Sequence, residues 1–260
     1  MFRSIFVITL AVGAAVAGPY AVAHDNGTVS TVNGSIHVTG DHGAVSTVNG
    51  NVTVNGDTDT GDLSTVNGGI HIDSTQHAGN LTSVNGGIHI AADSTVRHVS
   101  AVNGGIKLEQ RVSAWEVKTV NGSIELDQGV HITGAVGTVN GQLRLSSGVD
   151  VGENLSTVNG AIQLQGVHVG GDVKSVNGDI YIGADSHVDG GIIVEKRHGG
   201  WFDWFFDGPP RRIPKIVVAP GAVVTGTSRF EQDVKLYVSN RAKVGPIEGA
   251  TATTFSGDAP

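Results

Sequence analysis

Residues 79–90 read GNLTSVNGGIHI, and variants of this stretch recur along the chain. Nine copies of the tripeptide Val-Asn-Gly within it follow one another at intervals of 16 to 19 residues, and a further copy at residues 54–56 lies out of this register. A period near 18 residues, sustained over nine copies, is typical of a solenoid in which each repeat forms one coil. The asparagines of the nine copies are Asn33, Asn49, Asn67, Asn85, Asn103, Asn121, Asn140, Asn159 and Asn177.

Each copy contains short segments in which apolar and polar residues alternate. Leu81 and Ser83 precede one Val-Asn-Gly, and the pair Ile88 and Ile90 follows it. Many copies close with a third pair, such as the one at residues 130–132. This period of two indicates strands, whereas no copy shows a helical period. The sequence therefore predicts an all-β fold, a single-stranded parallel β-helix with three short strands and about 18 residues per coil.

We expect Asn-Gly to form a corner of each coil. Glycine adopts a positive φ without steric cost, and asparagine tolerates it better than most residues. Stacked coils would place the nine asparagines one above another, where each amide can bond to the copies above and below. The sequence therefore predicts a structural ladder made of these nine side chains.

The first 23 residues have the features of a secretory signal peptide. Arg3 precedes an apolar segment at residues 5–16, and Ala21-Val22-Ala23 forms a small-residue cleavage site. A membrane anchor is the alternative, but the apolar run is short for a bilayer span. We expect cleavage after Ala23 and export to the periplasm or the cell surface.

Composition excludes several classes of function. The formal net charge of −8 disfavours binding to nucleic acid. The chain has no cysteine, which rules out disulfides, thiol catalysis and cysteine-based metal sites. Neither a nucleophile-elbow motif nor a P-loop occurs, and the coils are too short to build a catalytic cleft. We therefore expect no enzymatic activity and no obligatory cofactor.

The repeat is broken at one place. Where a tenth Val-Asn-Gly is due, Val194-Glu195-Lys196 stands instead, and the strand pattern resumes at residue 215. We interpret the interruption as a loop inserted at a coil corner. The predicted parts are a signal peptide at 1–23, a solenoid at 24–194, the inserted loop at 195–214, and C-terminal coils with a tail at 215–260.

The inserted loop is aromatic and basic. Five of the chain's 13 aromatic residues lie inside it, within the six consecutive positions 201–206. Such residues anchor protein interfaces and also occupy membrane interfaces. We expect the loop to bind an envelope protein or surface, or a membrane interface through residues 201–206; self-association and capping of the solenoid are alternatives. The predicted partner-binding residues are Trp201, Phe202, Trp204, Phe205, Phe206, Arg211 and Arg212.

Two patterns indicate metal binding as an alternative function. Asp57, Asp59 and Asp62 place three carboxylates on one short loop, as Ca²⁺ sites do, although ordinary turn chemistry also explains them. Histidines at equivalent positions of adjacent coils could share a Zn²⁺ ion, and tolerant exposed positions are the other explanation. The histidine groups are His71 with His89, and His131 with Asp150 and His168.

The repeated T-V-N-G-x-I-x-V pattern behind a signal peptide resembles the bacterial adhesin-like family of β-solenoid repeat proteins. Residues 216–226, IVVAPGAVVTG, resemble the bactofilin, or polymer-forming, class of β-helix. Together these resemblances cover most of residues 28–249, and they imply a right-handed, three-faced helix without a catalytic motif. Parallel crossovers also favour the right hand. We therefore expect a non-catalytic structural or adhesin-like scaffold of the bacterial cell envelope.

Overall fold

The structure, a computed structural model, describes residues 20–23, 27–56, 58–73, 77–196 and 212–260. The regular elements in these ranges are β-strands, and they pair in parallel. They stack as a β-solenoid of about 12 coils with roughly 18 residues per coil, which confirms the predicted fold. None of the described residues belongs to a helix that could cross a membrane.

The coils have three faces, which we number in the order in which the chain visits them. The first face is a 12-stranded sheet. Its strands are Val29–Asn33, Val45–Asn49, Leu63–Asn67, Leu81–Ser83, His98–Ala101, Glu116–Thr119, Val136–Thr138, Leu155–Thr157, Val173–Ser175, Ile192–Val194, Ser228–Phe230 and Ile247–Glu248.

The second face is a 13-stranded sheet. Its strands are Tyr20–Ala23, Ser35–Thr39, Val52–Asn55, Ile70–Ile72, Ile88–Ile90, Ile106–Leu108, Ile124–Leu126, Leu143–Leu145, Ile162–Leu164, Ile180–Ile182, Lys215–Val218, Lys235–Ser239 and Ala252–Phe255.

The third face has the shortest strands, in sheets of two and seven that isolated bridges join into one column. The two-stranded sheet contains Asp59–Thr60 and His77–Ala78. The seven-stranded sheet contains Ser113–Ala114, His131–Ile132, Asp150–Val151, His168–Val169, His187–Val188, Val223–Val224 and Lys243–Val244.

The core is a column of aliphatic side chains that point inward from all three faces. In one coil Leu81, Ile88 and Ile90 are buried, and each stacks on an aliphatic residue of the next coil. Burying such a side chain stabilises the fold by roughly 1.5–3 kcal/mol. A single coil has no opposite wall to bury its apolar side, so stability comes from stacking.

Inward hydroxyls brace the corner between the first and second faces. The small residue before each Val-Asn-Gly is buried, and most donate a hydrogen bond to the corner glycine carbonyl of the preceding coil. Thr65 Oγ1 lies 2.9 Å from the Gly50 oxygen, and Thr119 Oγ1 lies 2.9 Å from the Gly104 oxygen. Ala101 occupies the same position without a hydroxyl.

The reason for glycine at this corner differs from the one we expected. Of the nine glycines that follow the ladder asparagines, only Gly34 has a positive φ, at 134°. Close stacking explains the other eight. A Cβ on Gly104, for example, would lie 2.0 Å from the carbonyl oxygen of Gly86, one coil below. The expectation of positive φ was wrong because glycine here is required by contact between coils, not by the turn.

Positive φ instead occurs at the corner between the second and third faces. Gly129, Gly148 and Gly166 hold this position with φ between 61° and 77°. Asp93 and Arg111 occupy it in earlier coils with φ of 63° and 58°. Their side chains form an ion pair with Arg111 Nε 2.6 Å from Asp93 Oδ1, and this hydrogen bond holds the pKa of Asp93 below its ordinary value.

The N-terminal edge of the second face is formed by Tyr20–Ala23, which pairs with residues 35–38. This strand belongs to the segment that the sequence assigns to a signal peptide. Cleavage after Ala23 stays a prediction. It would remove the strand and leave Ser35–Thr39 as the edge of the sheet.

Candidate functional site

The inserted loop occupies a corner that other coils cross with Val-Asn-Gly. The chain leaves the first face at Val194 and joins the second face at Lys215. Pairing continues across the gap, because Ile193 pairs with Arg229 and Ile180 pairs with Ile216. Residues 197–211 lie outside the described part of the chain, and with them Trp201, Phe202, Trp204, Phe205, Phe206 and Arg211.

Both ends of the loop are tied to neighbouring coils. Glu231 Oε2 accepts a hydrogen bond of 3.1 Å from the Lys196 backbone N–H. On the other side, Asp179 Oδ1 accepts one of 2.9 Å from the Lys215 N–H, and its second oxygen pairs with the Arg212 guanidinium. Arg212, a predicted partner-binding residue, thus lies at the base of the loop.

The ion pair at this base contributes little to stability. The Arg212 side chain is 79% exposed, and exposed pairs are worth about 0–1 kcal/mol. The backbone hydrogen bonds to Glu231 and Asp179 are therefore the firmer attachments. They fix the two ends of the loop, at Lys196 and Lys215, on the solenoid.

The nine asparagines form one continuous column below this loop. Eight hydrogen bonds of 2.7–2.9 Å join them, each from the Nδ2 of one asparagine to the Oδ1 of the asparagine one coil earlier. The column ends at Asn177, which is the last rung before the inserted loop. The ladder is structural, since its amides are occupied with one another.

The acidic loop proposed for Ca²⁺ has other contacts. Asp57 lies outside the described residues. Asp59 Oδ1 lies 3.2 Å from His77 Nδ1, and Asp62 Oδ1 accepts a hydrogen bond of 2.8 Å from the Asn80 N–H. Within the described ranges, no three His, Asp or Glu side chains are arranged to hold a metal ion.

The histidines stack in the register that the repeat predicts. His71 and His89 are paired residues of the second face, with their Nδ1 atoms 3.0 Å apart. His89 Nε2 lies 2.9 Å from Glu109 Oε1, and His71 Nε2 lies 2.6 Å from Asp73 Oδ1. Carboxylates thus flank the imidazoles at the place where a shared metal ion was the alternative explanation.

A longer chain of imidazoles and carboxylates follows the third face. Asp150 bridges His131 and His168 at 2.9 and 2.6 Å, and Asp189 bridges His168 and His187 at 3.2 and 2.9 Å. The hydrogen bond that Asp150 accepts raises the pKa of His168 above its ordinary value. Loss of hydration opposes this rise, and Asp189 adds to it.

Comparison with known protein families, curated proteins and solved structures found no match for this chain.

One exposed aromatic side chain was missed by the sequence analysis. Trp115 is 54% exposed at the corner between the third and first faces. The next coil has Gly134 at this corner, the preceding coil has Arg97, and the coil before that has Gly79. Aligning the repeats on this corner, and not only on Val-Asn-Gly, would have shown a tryptophan among glycines.

Proposed function

We propose that this chain is a non-catalytic, adhesin-like scaffold of the bacterial cell envelope, and that the loop at 195–214 docks a partner. The observation that carries the proposal is the continuity of strand pairing across the loop. An insertion at a corner leaves the coils on both sides stacked, so its sequence is free to serve recognition. The solenoid acts as a stiff rod that presents this loop.

Composition supports a docking role for the loop. Trp201, Phe202, Trp204, Phe205 and Phe206 supply the large apolar side chains that dominate binding energy at interfaces. Arg211 and Arg212 supply cations beside them. The partner is an envelope protein or surface, or the membrane interface itself.

The test replaces residues 197–212 with a short Gly-Ser link in the exported chain. We expect a β-rich circular dichroism spectrum and nearly unchanged thermal stability, because the backbone hydrogen bonds at Lys196 and Lys215 remain. We also expect the variant to lose co-sedimentation with isolated cell envelopes. Protein-free vesicles in a parallel experiment distinguish a lipid partner from a protein partner.

A matched variant keeps the length of the loop and changes only its five aromatic residues to serine. Loss of envelope binding with retained folding supports docking. A cap would behave differently, because removing several large apolar contacts from a core costs a few kcal/mol in total. Unfolding of the rod, or normal envelope binding by the folded variant, would overturn the docking proposal.

A further inference from the structure

A groove runs along the corner between the third and first faces, on a different corner from the inserted loop. It has a volume of about 530 Å³ and spans the coils from Thr60 to Thr133. Four coil steps of about 4.8 Å give it a length of about 19 Å. Its lining includes Asp62, His77, Gly79, Arg97 and Trp115.

The groove exists because most coils turn this corner with glycine. Successive corner residues are joined by backbone hydrogen bonds, from Arg97 N–H to Gly79 at 3.2 Å and from Trp115 N–H to Arg97 at 2.8 Å. Gly61 and Gly79 leave the backbone bare at the start of the column. Arg97 and Trp115 then add two large side chains side by side.

Trp115 presents an aromatic surface on a rigid support. A Cβ on Gly134 would lie only 3.7 Å from Trp115 Nε1, so the indole extends over the next corner, which has no side chain. The Trp115 backbone is fixed on both sides by hydrogen bonds, of 2.8 Å to Arg97 and 2.7 Å to Gly134. A rigid, half-exposed indole loses little conformational entropy on binding.

Arg97 lines the groove in the coil before Trp115. In the described part of the chain, four arginines pair with carboxylates, whereas Arg97 has no such partner. Its guanidinium has five donors in a fixed plane. Asp62 contributes an acceptor to the groove. Its Oδ1 bonds to the Asn80 N–H, and its Oδ2 is left to accept a hydrogen bond from a ligand.

We propose that this groove binds a neutral pyranose oligosaccharide, with one sugar ring stacked on Trp115 and with Arg97 and Asp62 bonded to its hydroxyls. The C–H face of a pyranose is apolar and flat, while its rim carries hydroxyls that donate and accept. A single indole flanked by planar polar side chains matches both properties.

Other occupants fit the groove less well. The apolar neighbours Ala78, Val96 and Ala114 are buried, so the indole lacks the apolar surroundings of a protein hot spot. Asp59 and Asp62 lie in this acidic part of the chain, which has no Lys or Arg between Arg3 and Arg97. Their charge repels anionic lipids and polyuronates.

The test is calorimetric titration of the full exported chain with cellohexaose, chitohexaose and hexagalacturonate. We expect binding of at least one of the two neutral hexasaccharides and weaker binding of the acidic one. Trp115→Gly installs the residue that the next coil has at this corner, Gly134, so the fold should persist. It should lower the affinity about tenfold, the effect of losing an aromatic stacking contact.

Arg97→Gly should also weaken binding, because it removes the guanidinium donors. The variant should fold, since Gly61 and Gly79 show that the corner accepts glycine. Tyr181→Thr is the matched control: Tyr181 is an exposed aromatic on the second face, and Thr53 holds the equivalent position in an earlier coil. It should leave the affinity unchanged. Thermal melting of each variant checks folding.

Three results would overturn the proposal. They are absence of binding by both neutral hexasaccharides at millimolar concentration, preference for hexagalacturonate, and equal affinity of the folded Trp115→Gly variant. The site is independent of the docking loop, so replacing residues 197–212 should leave saccharide binding intact. The two proposals can therefore fail separately.

Discussion

Single side chains inside the coils decide how well one coil is fixed to the next. Eight of the nine inward positions before Val-Asn-Gly hold hydroxyls, and six of these donate to the corner glycine carbonyl of the preceding coil. Thr31 donates to Asn33 and Ser175 to Gly178, both within their own coil. Ala101 is buried in this column between Ser83 and Thr119. The carbonyl of Gly86 therefore receives no hydroxyl from the coil above.

Replacing Ala101 with serine should stabilise the protein. The new hydroxyl would bond to the Gly86 carbonyl, as Ser83 Oγ bonds to the Gly68 carbonyl at 2.9 Å in the preceding coil. We expect the free energy of unfolding to rise by about 0.5–1.5 kcal/mol, the net value of a buried hydrogen bond. Denaturant unfolding measures it. Thr119→Val, which removes the equivalent hydroxyl, is the reciprocal control and should lower stability by a similar amount.

Protonation of His168 should make one part of the stability depend on pH. Because the pKa of His168 is raised on folding, its contribution is complete below the unfolded pKa of about 6.5 and is lost as pH rises through the folded value. We expect His168→Gln to lower the melting temperature more at about pH 5.5 than at about pH 8.5.

His98→Gln serves as the control, since His98 Nδ1 faces the amide oxygen of Asn80 at 2.9 Å and not a carboxylate. Its effect on melting should differ less between the two pH values. Equal effects of His168→Gln at both pH values would contradict a raised pKa.

Among the elements, the Asn-Gly corner limits how closely coils can stack. The corner glycines contact the carbonyl of the glycine below, and that carbonyl also accepts the inward hydroxyl. One corner therefore combines three features: the asparagine ladder, the hydrogen bond from the inward hydroxyl, and the close contact between stacked glycines. A change at the glycine should disturb all three.

Gly104→Ala should be strongly destabilising. Its Cβ would lie 2.0 Å from the Gly86 oxygen, a backbone atom at the corner of the preceding coil. We expect a loss of at least about 2 kcal/mol, because the stack must separate locally to admit the methyl group. Thermal or denaturant melting measures it.

Gly105→Ala is the neighbouring control. Its Cβ would meet the Ser123 oxygen at 3.3 Å, and Ser123 and Ala161 show that the equivalent position accepts a side chain. This variant should melt close to the parent. Similar losses at both positions would mean that glycine is needed for flexibility and not for contact.

The corner also shows what a sequence can and cannot predict about such a fold. The ladder follows from the repeat alone, because a fixed period places Asn85 and Asn103 at the same point of adjacent coils. The role of Gly104 does not follow, since the distance between stacked backbones is a property of the assembled coils. Trp115 was missed because the repeats were aligned on Val-Asn-Gly alone and not on the corner that Trp115 shares with Gly79 and Gly134.

The whole molecule is a linear stack in which each coil contacts only its neighbours. Stability in such proteins is close to a sum of coil and interface terms. The function of the inserted loop is the part that the repeat cannot predict, because the loop is the place where the period stops. The docking role that we propose for it rests on the continuity of strand pairing across the loop and on the loop's composition.

Removing one complete coil should leave a folded protein. Excision of residues 160–177 joins Asn159 to Gly178 and preserves both the ladder and the register of all three faces. We expect β-rich circular dichroism, and a rod shorter by about 4.8 Å in small-angle X-ray scattering. Excision of residues 160–168, half a coil, exchanges the faces and should prevent folding. Normal folding of the half-coil variant would contradict the stacking register.

The asparagine ladder makes the rod electrically directional. Every rung donates toward the N-terminal end, so the amide dipoles are aligned from Asn33 to Asn177. A single reversed amide would face oxygen with oxygen and nitrogen with nitrogen, so the rungs keep one sense together. A carboxylate at one rung, as in Asn103→Asp, accepts from both sides. The amides on the N-terminal side of residue 103 would then reverse, so the amide dipoles of the two segments would point in opposite directions.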